Sequence, residues 1–191
     1  LSAKNWLKFF ALGLIWGSSF FWLKIGLQET GPITVVFFRV FFAAIGLILF
    51  FIITRKRLRT KFWWLFLFLG FFNVTLPFLL VTWSEKHISS GMASVLNSLQ
   101  PLATMLIAAI FLEEERLTSR RILGLIMGIA GVLVLMSNRL HSGAGNQLLG
   151  ILAMLAAVLC YGGSAVFARL HNSEVRPEDN SLGQMLFALV F

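Results

Sequence analysis

Two side-chain amides near the middle of one apolar run are the residues best suited to bind a polar solute. Asn97 and Gln100 lie in the run from 91 to 112, close to Pro101. A buried amide costs free energy unless it is hydrogen-bonded, so this pair either joins neighbouring helices or lines a wet cavity. Because Pro101 has no N–H, it also leaves the Asn97 carbonyl without its helical donor, which adds an acceptor at the same depth.

Three further polar side chains lie within apolar runs. Asn73, near Pro77, repeats the amide pattern more weakly. Arg39 lies about two turns into its run, where a cation costs about 2.5 to 3.5 kcal/mol on insertion scales and so faces protein or water. We expect Arg39 either to bind backbone carbonyls or Glu85, or to bind an anionic group of a solute. Lys24 lies one turn from the end of its run, a depth from which its stem can reach the interface.

Two aromatic residues lie away from the interface where such side chains usually collect. Tryptophan is typical of the membrane–water boundary, but Trp16 falls near the middle of its run, followed by Gly17, Ser18 and Ser19. Tyr161 occupies a similar position in a later run. The two rings either fill the core of a helical bundle or face each other across a solute cavity. The hydroxyl group of Ser19 would be a polar contact in such a cavity.

The sequence does not have the residues that common catalytic and metal centres need. The three histidines lie in separate loops, at His87, His141 and His171, without the spacing of metal ligands. It has no nucleophile–base pair and no nucleotide-binding loop, so we expect neither an enzyme nor an ATP-driven pump, and no metal or cofactor. A single cysteine, Cys160, excludes an internal disulfide framework. Glu85 is at the end of its run, so a buried carboxylate that carries protons is not predicted.

The elements that carry these residues are predicted to be membrane-spanning helices. Apolar residues make up 58% of the chain, charged residues make up 13%, and the mean hydropathy is +0.86. A helix needs about 20 residues to cross a hydrocarbon core of about 30 Å. We therefore predict an all-α polytopic membrane protein surrounded by a lipid bilayer. The spans are predicted at about 7–27, 33–53, 62–83, 91–112, 122–137 and 148–170, with a partial span at 181–191.

The basic residues indicate how these helices are oriented. A net charge of +8 and a pI near 10.6 could indicate a nucleic-acid partner, but the basic residues alternate between loops instead of forming one patch. Only Lys86 and Arg139 fall on the opposite side from twelve others. This bias predicts a multi-pass protein of the cytoplasmic (inner) cell membrane with a cytoplasmic N-terminus, and no nucleic-acid partner. The twelve are Lys4, Lys8, Arg55, Lys56, Arg57, Arg59, Lys61, Arg116, Arg120, Arg121, Arg169 and Arg176.

One stretch of the sequence recurs without a gap 145 positions later. When residues 16–32 are aligned with residues 161–177, the pair Trp16-Gly17 aligns with Tyr161-Gly162. Pro32 aligns with Pro177. Five predicted spans separate the two copies, and an odd number of spans turns the second copy upside down. We therefore expect an inverted repeat of five-helix units.

The repeat predicts a division of the chain into two parts. Residues 1–140 would be the first five-helix repeat, and residues 141–191 would be the start of the second. The partial span at 181–191 has eleven residues, too few to cross a bilayer. The interpretation is that about 6.5 helices are present and that 5+5 are expected in the full-length protein.

Four stretches carry a family resemblance. They are WGSSFFWLKIGL at 16–27, FFRVFFAA at 37–44, the block from 83 to 135 that contains WSEKHISSGMASVLNSLQPLATMLIAAIFLEEERLT, and LGILAMLAAVLCYGGSAVFAR at 149–169. In these stretches the chain resembles the EamA-like members of the drug/metabolite transporter superfamily. The resemblance implies ten helices and a central cavity lined by the first four helices of each copy. The chain departs from the family by ending inside the seventh helix and by carrying Glu113 where glycine is common.

Together, the residues and the resemblance predict a membrane transporter, not an enzyme. It would export small organic solutes, either amino-acid-like metabolites or drug-like compounds, by alternating access. The alternative is a non-transporting membrane sensor or assembly subunit. Gly124, Gly128 and Gly131 form a small-residue face that predicts close helix packing, within the subunit or in a possible homodimer. The candidate cavity residues are Trp16, Ser19, Arg39, Asn73, Asn97, Gln100 and Tyr161.

Overall fold

The described part of the chain is built from seven helices. The computed structural model describes residues 2–112, 118–137, 144–171 and 174–191, and none of these forms a strand. Glu113, Arg116, Arg139 and His141, which the sequence analysis singles out, lie outside these ranges. The helices are α1 (Ala3–Glu29), α2 (Pro32–Ile53), α3 (Thr60–His87), α4 (Ser90–Phe111), α5 (Ser119–Ser137), α6 (Ala144–His171) and α7 (Pro177–Ala188).

Five of these helices, α1, α2, α3, α4 and α6, are long and apolar enough to cross a membrane. The prediction of an all-helical polytopic membrane protein is therefore confirmed. α7 begins at Pro177, earlier than the predicted start of its apolar run at 181. Proline is favoured in the first turn of a helix, and Glu178 and Asp179 are favourable near the positive end of the helix dipole. Hydropathy alone misses this polar first turn.

α3 contains an irregular turn near its middle. Residues Gly70–Thr75 form a π-helical segment, in which the Leu76 N–H donates to the Phe71 carbonyl five residues earlier. Pro77 lies just beyond and cannot donate a hydrogen bond to the Asn73 carbonyl. A wider turn relieves the clash that the proline ring would make there. The segment carries Asn73 into the interior of the bundle.

α4 is interrupted near its middle. Its first half, Ser90–Asn97, ends before Ser98, and its second half begins at Gln100 with Pro101 in the first turn. The Ser98 hydroxyl donates to the Val95 carbonyl at 2.6 Å, and the Ser98 backbone N–H donates to the same carbonyl at 3.2 Å. Both irregular segments therefore precede a proline by a few residues.

Close packing holds α6 against α3 and α4. The Ser84 hydroxyl of α3 donates to the Gly150 carbonyl of α6 at 2.7 Å, and both residues are buried. A Cβ atom at Gly162 would lie 3.0 Å from the Thr104 nitrogen of α4. Met154 and Ala157 of α6 are fully buried in the same core. Small residues on α6 thus allow three helix backbones to approach each other.

Candidate functional site

The structure brings all seven predicted candidates to one cavity of about 640 Å³. Helices α1, α2, α3, α4, α6 and α7 line it, and none of the described residues of α5 does so. Its volume lies within the range of small-molecule sites, about 300 to 1,000 Å³. The lining residues are Leu12, Ile15, Trp16, Ser19, Phe20, Leu23, Arg39, Asn73, Val74, Phe78, Val81, Asn97, Gln100, Tyr161, Ser181, Gln184 and Met185.

Arg39 contacts a hydroxyl group and an aromatic ring. Its Nη2 donates to the Ser19 hydroxyl at 3.3 Å, which joins α2 to α1. Its guanidinium carbon lies 4.3 Å from the centre of the Phe78 ring of α3, which is cation–π geometry. Among the described residues no carboxylate lies within 4.0 Å of Arg39, so the expected ion pair with Glu85 is not formed.

Asn73 is paired with a residue that the sequence analysis missed. Its Nδ2 donates to the Gln184 Oε1 at 2.8 Å, which joins the irregular segment of α3 to α7. Ser181, one turn earlier in α7, also lines the cavity. Gln184 lies in the run predicted as a partial span, as an amide in an apolar stretch, and this polarity is the signal that could have identified it. The pairing itself spans 111 residues, and no local pattern shows it.

The structure places Asn97 and Gln100 on the wall of the cavity. In the part of the chain that the structure describes, neither side chain has a hydrogen bond to protein, and both are half-buried. Both line the cavity, and the break in α4 lies between them. Their amide groups are therefore positioned to bind water or solute.

The two aromatic residues differ in their surroundings. Trp16 is 57% exposed and lines the cavity, so it does not fill the core. Tyr161 is half-buried and packs at the edge of the core around Met154 while also lining the cavity. Both rings are therefore walls of one cavity, and Tyr161 contributes to the core as well.

A second cavity, of about 790 Å³, adjoins the first. Trp16, Asn97 and Gln100 line both, so these three residues form the partition between them. The far wall of the second cavity includes Arg121 of α5 and Arg169 of α6. The two cavities therefore form one path, which leads from Arg39 in the first cavity to Arg121 and Arg169 in the second.

The opposite end of the first cavity is closed by apolar packing. Phe20, Leu23 and Val81 line the cavity and belong to a buried cluster that continues through Met92 and Leu96. Such a cluster excludes water. The cavity is thus closed toward the end of the bundle that carries the α3–α4 connection.

Lys24 fastens this closed end. Its ammonium group donates to the Glu85 carbonyl and, at 3.2 Å, to the Ile88 carbonyl. Glu85 lies in the last turn of α3 and Ile88 directly follows the helix, a place where a cation is favoured by the helix dipole. Lys24 therefore joins α1 to the end of α3, and its expected reach toward the membrane interface stays a prediction.

Glu85 is at the end of α3, as the sequence indicates, but its carboxyl group is completely buried. Its Oε2 lies 3.5 Å from the Ser90 hydroxyl, and its Oε1 has no hydrogen-bond partner among the described residues. Its position near a helix end does not expose it, because α3 continues to His87 and Lys24 of α1 contacts the last turn of α3. Glu85 does not line the cavity.

Comparison with known proteins identifies the family. The sequence pattern of the EamA-like transporter family matches residues 5–137. An uncharacterized transporter of Archaeoglobus fulgidus is 30% identical over 166 residues, which is 87% of this chain and 59% of the relative. The uncharacterized transporter YoaV of Bacillus subtilis is 26% identical over 87% of this chain and 58% of its own length. A protein of Escherichia coli named as a probable amino-acid metabolite efflux pump is 27% identical over 95% of this chain and 59% of its own length.

The chain therefore spans less than two thirds of the length of these relatives. No solved structure matches it significantly. The family match covers α1 to α5, which carry six of the seven candidate residues, and the match with the Archaeoglobus protein covers most of the chain. The five long apolar helices of the structure and the transporter relatives both support a multi-pass membrane protein. The chain belongs to the EamA-like transporter family.

Proposed function

We propose that this chain forms the solute pathway of a cell-membrane transporter that exports small organic solutes by alternating access. The observation that carries the proposal is that the two irregular helix segments, Gly70–Thr75 of α3 and the break of α4 at Ser98, meet at one polar cavity. Irregular backbone at membrane depth is tolerated where it is buried in protein or lines a water-filled cavity. Interrupted helices of this kind form the solute sites of many secondary transporters.

The position of the two cavities supports a cytoplasmic entry for the proposed pathway. The second cavity extends toward Arg121 and Arg169, while the opposite end is packed shut around Leu23 and Val81. Under the positive-inside rule, the basic end is cytoplasmic and the N-terminus of α1 lies on the same side. A solute would then enter from the cytoplasm and would leave after the cluster around Leu23 and Val81 opens.

The relatives support transport as the function. The name of the Escherichia coli relative, a probable amino-acid metabolite efflux pump, fits export of small metabolites. The cavity carries hydrogen-bonding amides and apolar walls, which suit a solute with both polar and apolar parts. We propose amino-acid-like metabolites or drug-like compounds as the solute range and a non-enzymatic mechanism.

Flux of solute into proteoliposomes tests the proposal. The complete gene product would be compared with Asn97→Leu and Gln100→Leu variants at matched protein density. We expect both variants to fold and to lose most of the flux, because they remove hydrogen-bonding groups from the partition between the cavities. Asn146→Leu and Gln28→Leu make the same changes at exposed positions and should retain flux. Solute binding without any flux would instead favour a membrane sensor.

A further inference from the structure

Arg39 is the only residue with a formal charge among the described residues that line the 640 Å³ cavity. The polar remainder of the wall consists of hydroxyl and amide groups, and the rest is apolar or aromatic. Glu85 is the nearest buried carboxylate on α3, but it does not line the cavity and does not pair with Arg39. The wall therefore offers one positive charge and no negative charge to a bound solute.

The hydrogen-bonding capacity of Arg39 is mostly unused by the protein. A guanidinium group has five N–H donors in a planar fork. In the described part of the chain, its one hydrogen bond is the 3.3 Å contact with the Ser19 hydroxyl, while the Phe78 ring covers one face. The edge of the fork is left for an acceptor in the cavity. A cation at membrane depth is expensive unless such an acceptor is present, because it gives up its hydration there.

On these observations, and resting on the proposed function, we propose that the cavity selects small organic monocarboxylates with an apolar or aromatic body. The carboxylate binds the edge of the Arg39 fork, where two parallel N–H···O bonds are possible. The body lies against the Trp16 and Tyr161 rings and the aliphatic wall around Ile15. The amide N–H groups of Asn97 and Gln100 are further donors.

The same wall disfavours amines and amino acids. An ammonium group would meet the field of Arg39 in a site of reduced dielectric constant, without a carboxylate in the described wall to pair with it. The carbonyl oxygens of Asn97 and Gln100 are neutral acceptors and offset only part of this repulsion. A zwitterion should therefore bind more weakly than the acid that lacks its amino group, which narrows the amino-acid-like metabolites of the proposed solute range to those without a free amino group.

Four probes with the same phenyl ring and three-carbon chain test this selectivity. They are 3-phenylpropanoate, 3-phenylpropanamide, 3-phenylpropylamine and phenylalanine, which carry a negative charge, no charge, a positive charge and both charges. Equilibrium binding to the complete gene product in a non-ionic detergent would be measured by calorimetry. We expect the acid to bind about 10 to 100 times more tightly than each of the others, the factor that one charge-assisted hydrogen-bond pair supplies.

Variants assign the preference to Arg39. Arg39→Gln should abolish the preference for the acid over the amide, and Arg39→Lys should keep part of it, because the charge remains but the fork is lost. Lys86→Gln removes an exposed cation that does not line the cavity and should leave the preference unchanged. If Arg39→Gln does not fold, the four probes still test the proposal on the unaltered protein.

Several outcomes would overturn the proposal. Equal or tighter binding of the amide, the amine or phenylalanine would do so, as would an acid preference that survives in folded Arg39→Gln. A fifth probe, 2-phenylethylphosphonate, distinguishes anion types, and tighter binding of this probe than of the acid would overturn the assignment to carboxylates. Flux separates the two proposals: acid-selective binding without flux contradicts only transport, whereas flux of amines in preference to acids contradicts only the solute class.

Discussion

Gly162 and Gly163 are neighbours in α6 but meet different surroundings. A Cβ atom at Gly162 would lie 3.0 Å from the Thr104 nitrogen and 3.1 Å from the Ala103 carbonyl carbon, whereas a Cβ atom at Gly163 would meet nothing within 4 Å. Backbone atoms of α4 cannot move aside as a flexible side chain can. The first glycine therefore sets the distance between α6 and α4, and the second does not.

We expect Gly162→Ala to destabilise the protein and Gly163→Ala to leave its stability unchanged or slightly higher. Overpacking at Gly162 should cost about 1 to 3 kcal/mol. The change at Gly163 gains helix propensity, worth up to about 1 kcal/mol in a helix interior. Unfolding midpoints of the two variants in the same detergent provide the measurement. Equal midpoints would show that α6 does not pack against α4 as the structure has it.

Only part of this arrangement could have been predicted from the sequence. The Tyr161-Gly162-Gly163 stretch indicates that a backbone approaches closely, because only glycine leaves such space. Which of two consecutive glycines faces the neighbour depends on the rotation of α6, and rotation is set by contacts far away in the chain. Burial of Glu85 was missed for the same reason, since α1 and Lys24 cover it across 61 residues.

At the scale of elements, Lys24 joins α1 to the end of α3. We expect Lys24→Met to lower the free energy of unfolding by about 1.5 to 3 kcal/mol, the range for a hydrogen bond to a charged group, because two carbonyls lose their donor. Lys86→Met removes an exposed lysine on α3 and should have little effect. Chemical denaturation of both variants in detergent is the measurement. Equal loss in both would contradict the role of Lys24 as a helix cap.

A second connection joins the loop after α2 to the start of α7. Arg176 donates two hydrogen bonds to Asp179, from Nε at 2.7 Å and from Nη2 at 2.8 Å, and a third to the Arg57 carbonyl at 2.8 Å. The bond to Asp179 raises the pKa of Arg176 above its ordinary value. Asp179 is completely buried, although it lies at a helix start. The acidic residues at the start of α7 thus neutralise part of the positive charge of the loop after α2.

The Lys56–Glu178 pair of this connection makes stability depend on pH. Lys56 donates to Glu178 at 2.5 Å and lowers the pKa of that carboxyl group from 4.5. A lowered folded-state pKa stabilises the protein above the ordinary value, and this contribution is lost as pH falls through the folded-state value. We expect the unfolding midpoint to fall between pH 6 and about pH 3.5, and to fall less in Glu178→Gln.

Glu174→Gln is the matched control for this pH effect. Glu174 pairs with Lys61 at 3.4 Å, but both side chains are more than two thirds exposed, and such pairs contribute little. Its pH profile should follow that of the unaltered protein. A Glu178→Gln profile that also follows it would show that the Lys56 pair does not contribute to stability.

The prolines show what a sequence can predict about an element and what it cannot. Pro77 and Pro101 predict interruptions in α3 and α4, and both occur. The two interruptions differ in form: α3 has a π-helical segment and α4 has a break. The form depends on the contacts that each segment makes with neighbouring helices. For α3 one such neighbour is α7, where Gln184 pairs with Asn73.

At the scale of the whole molecule, the glycine face of α5 is only partly used. A Cβ atom at Gly128 would lie 2.7 Å from the Leu102 Cδ1 of α4, which is close packing, but Cβ atoms at Gly124 and Gly131 would meet nothing within 4 Å of the described residues. Packing within the subunit therefore explains one of the three glycines. A homodimer through the other two stays a prediction.

The orientation of the molecule determines which side the second cavity faces. The loop that carries Arg57 lies at the same end of the bundle as the start of α7, and the positive-inside rule assigns this end to the cytoplasm. In a Cys160→Ala background, a cysteine at Arg57 should react with a membrane-impermeant maleimide only after the membrane is opened. A cysteine at exposed Lys86 should react in intact cells.

The reverse labelling pattern would contradict the orientation. With the basic end outside, the second cavity would extend away from the cytoplasm, and the packed end around Leu23 would face it. The structure would then be the outward-open state of the alternating-access cycle, and the cytoplasmic entry for the solute would have to open at the Leu23 end. Labelling at both positions in intact cells would instead show a mixture of orientations, as expected if the charge bias of the loops were too weak to set topology.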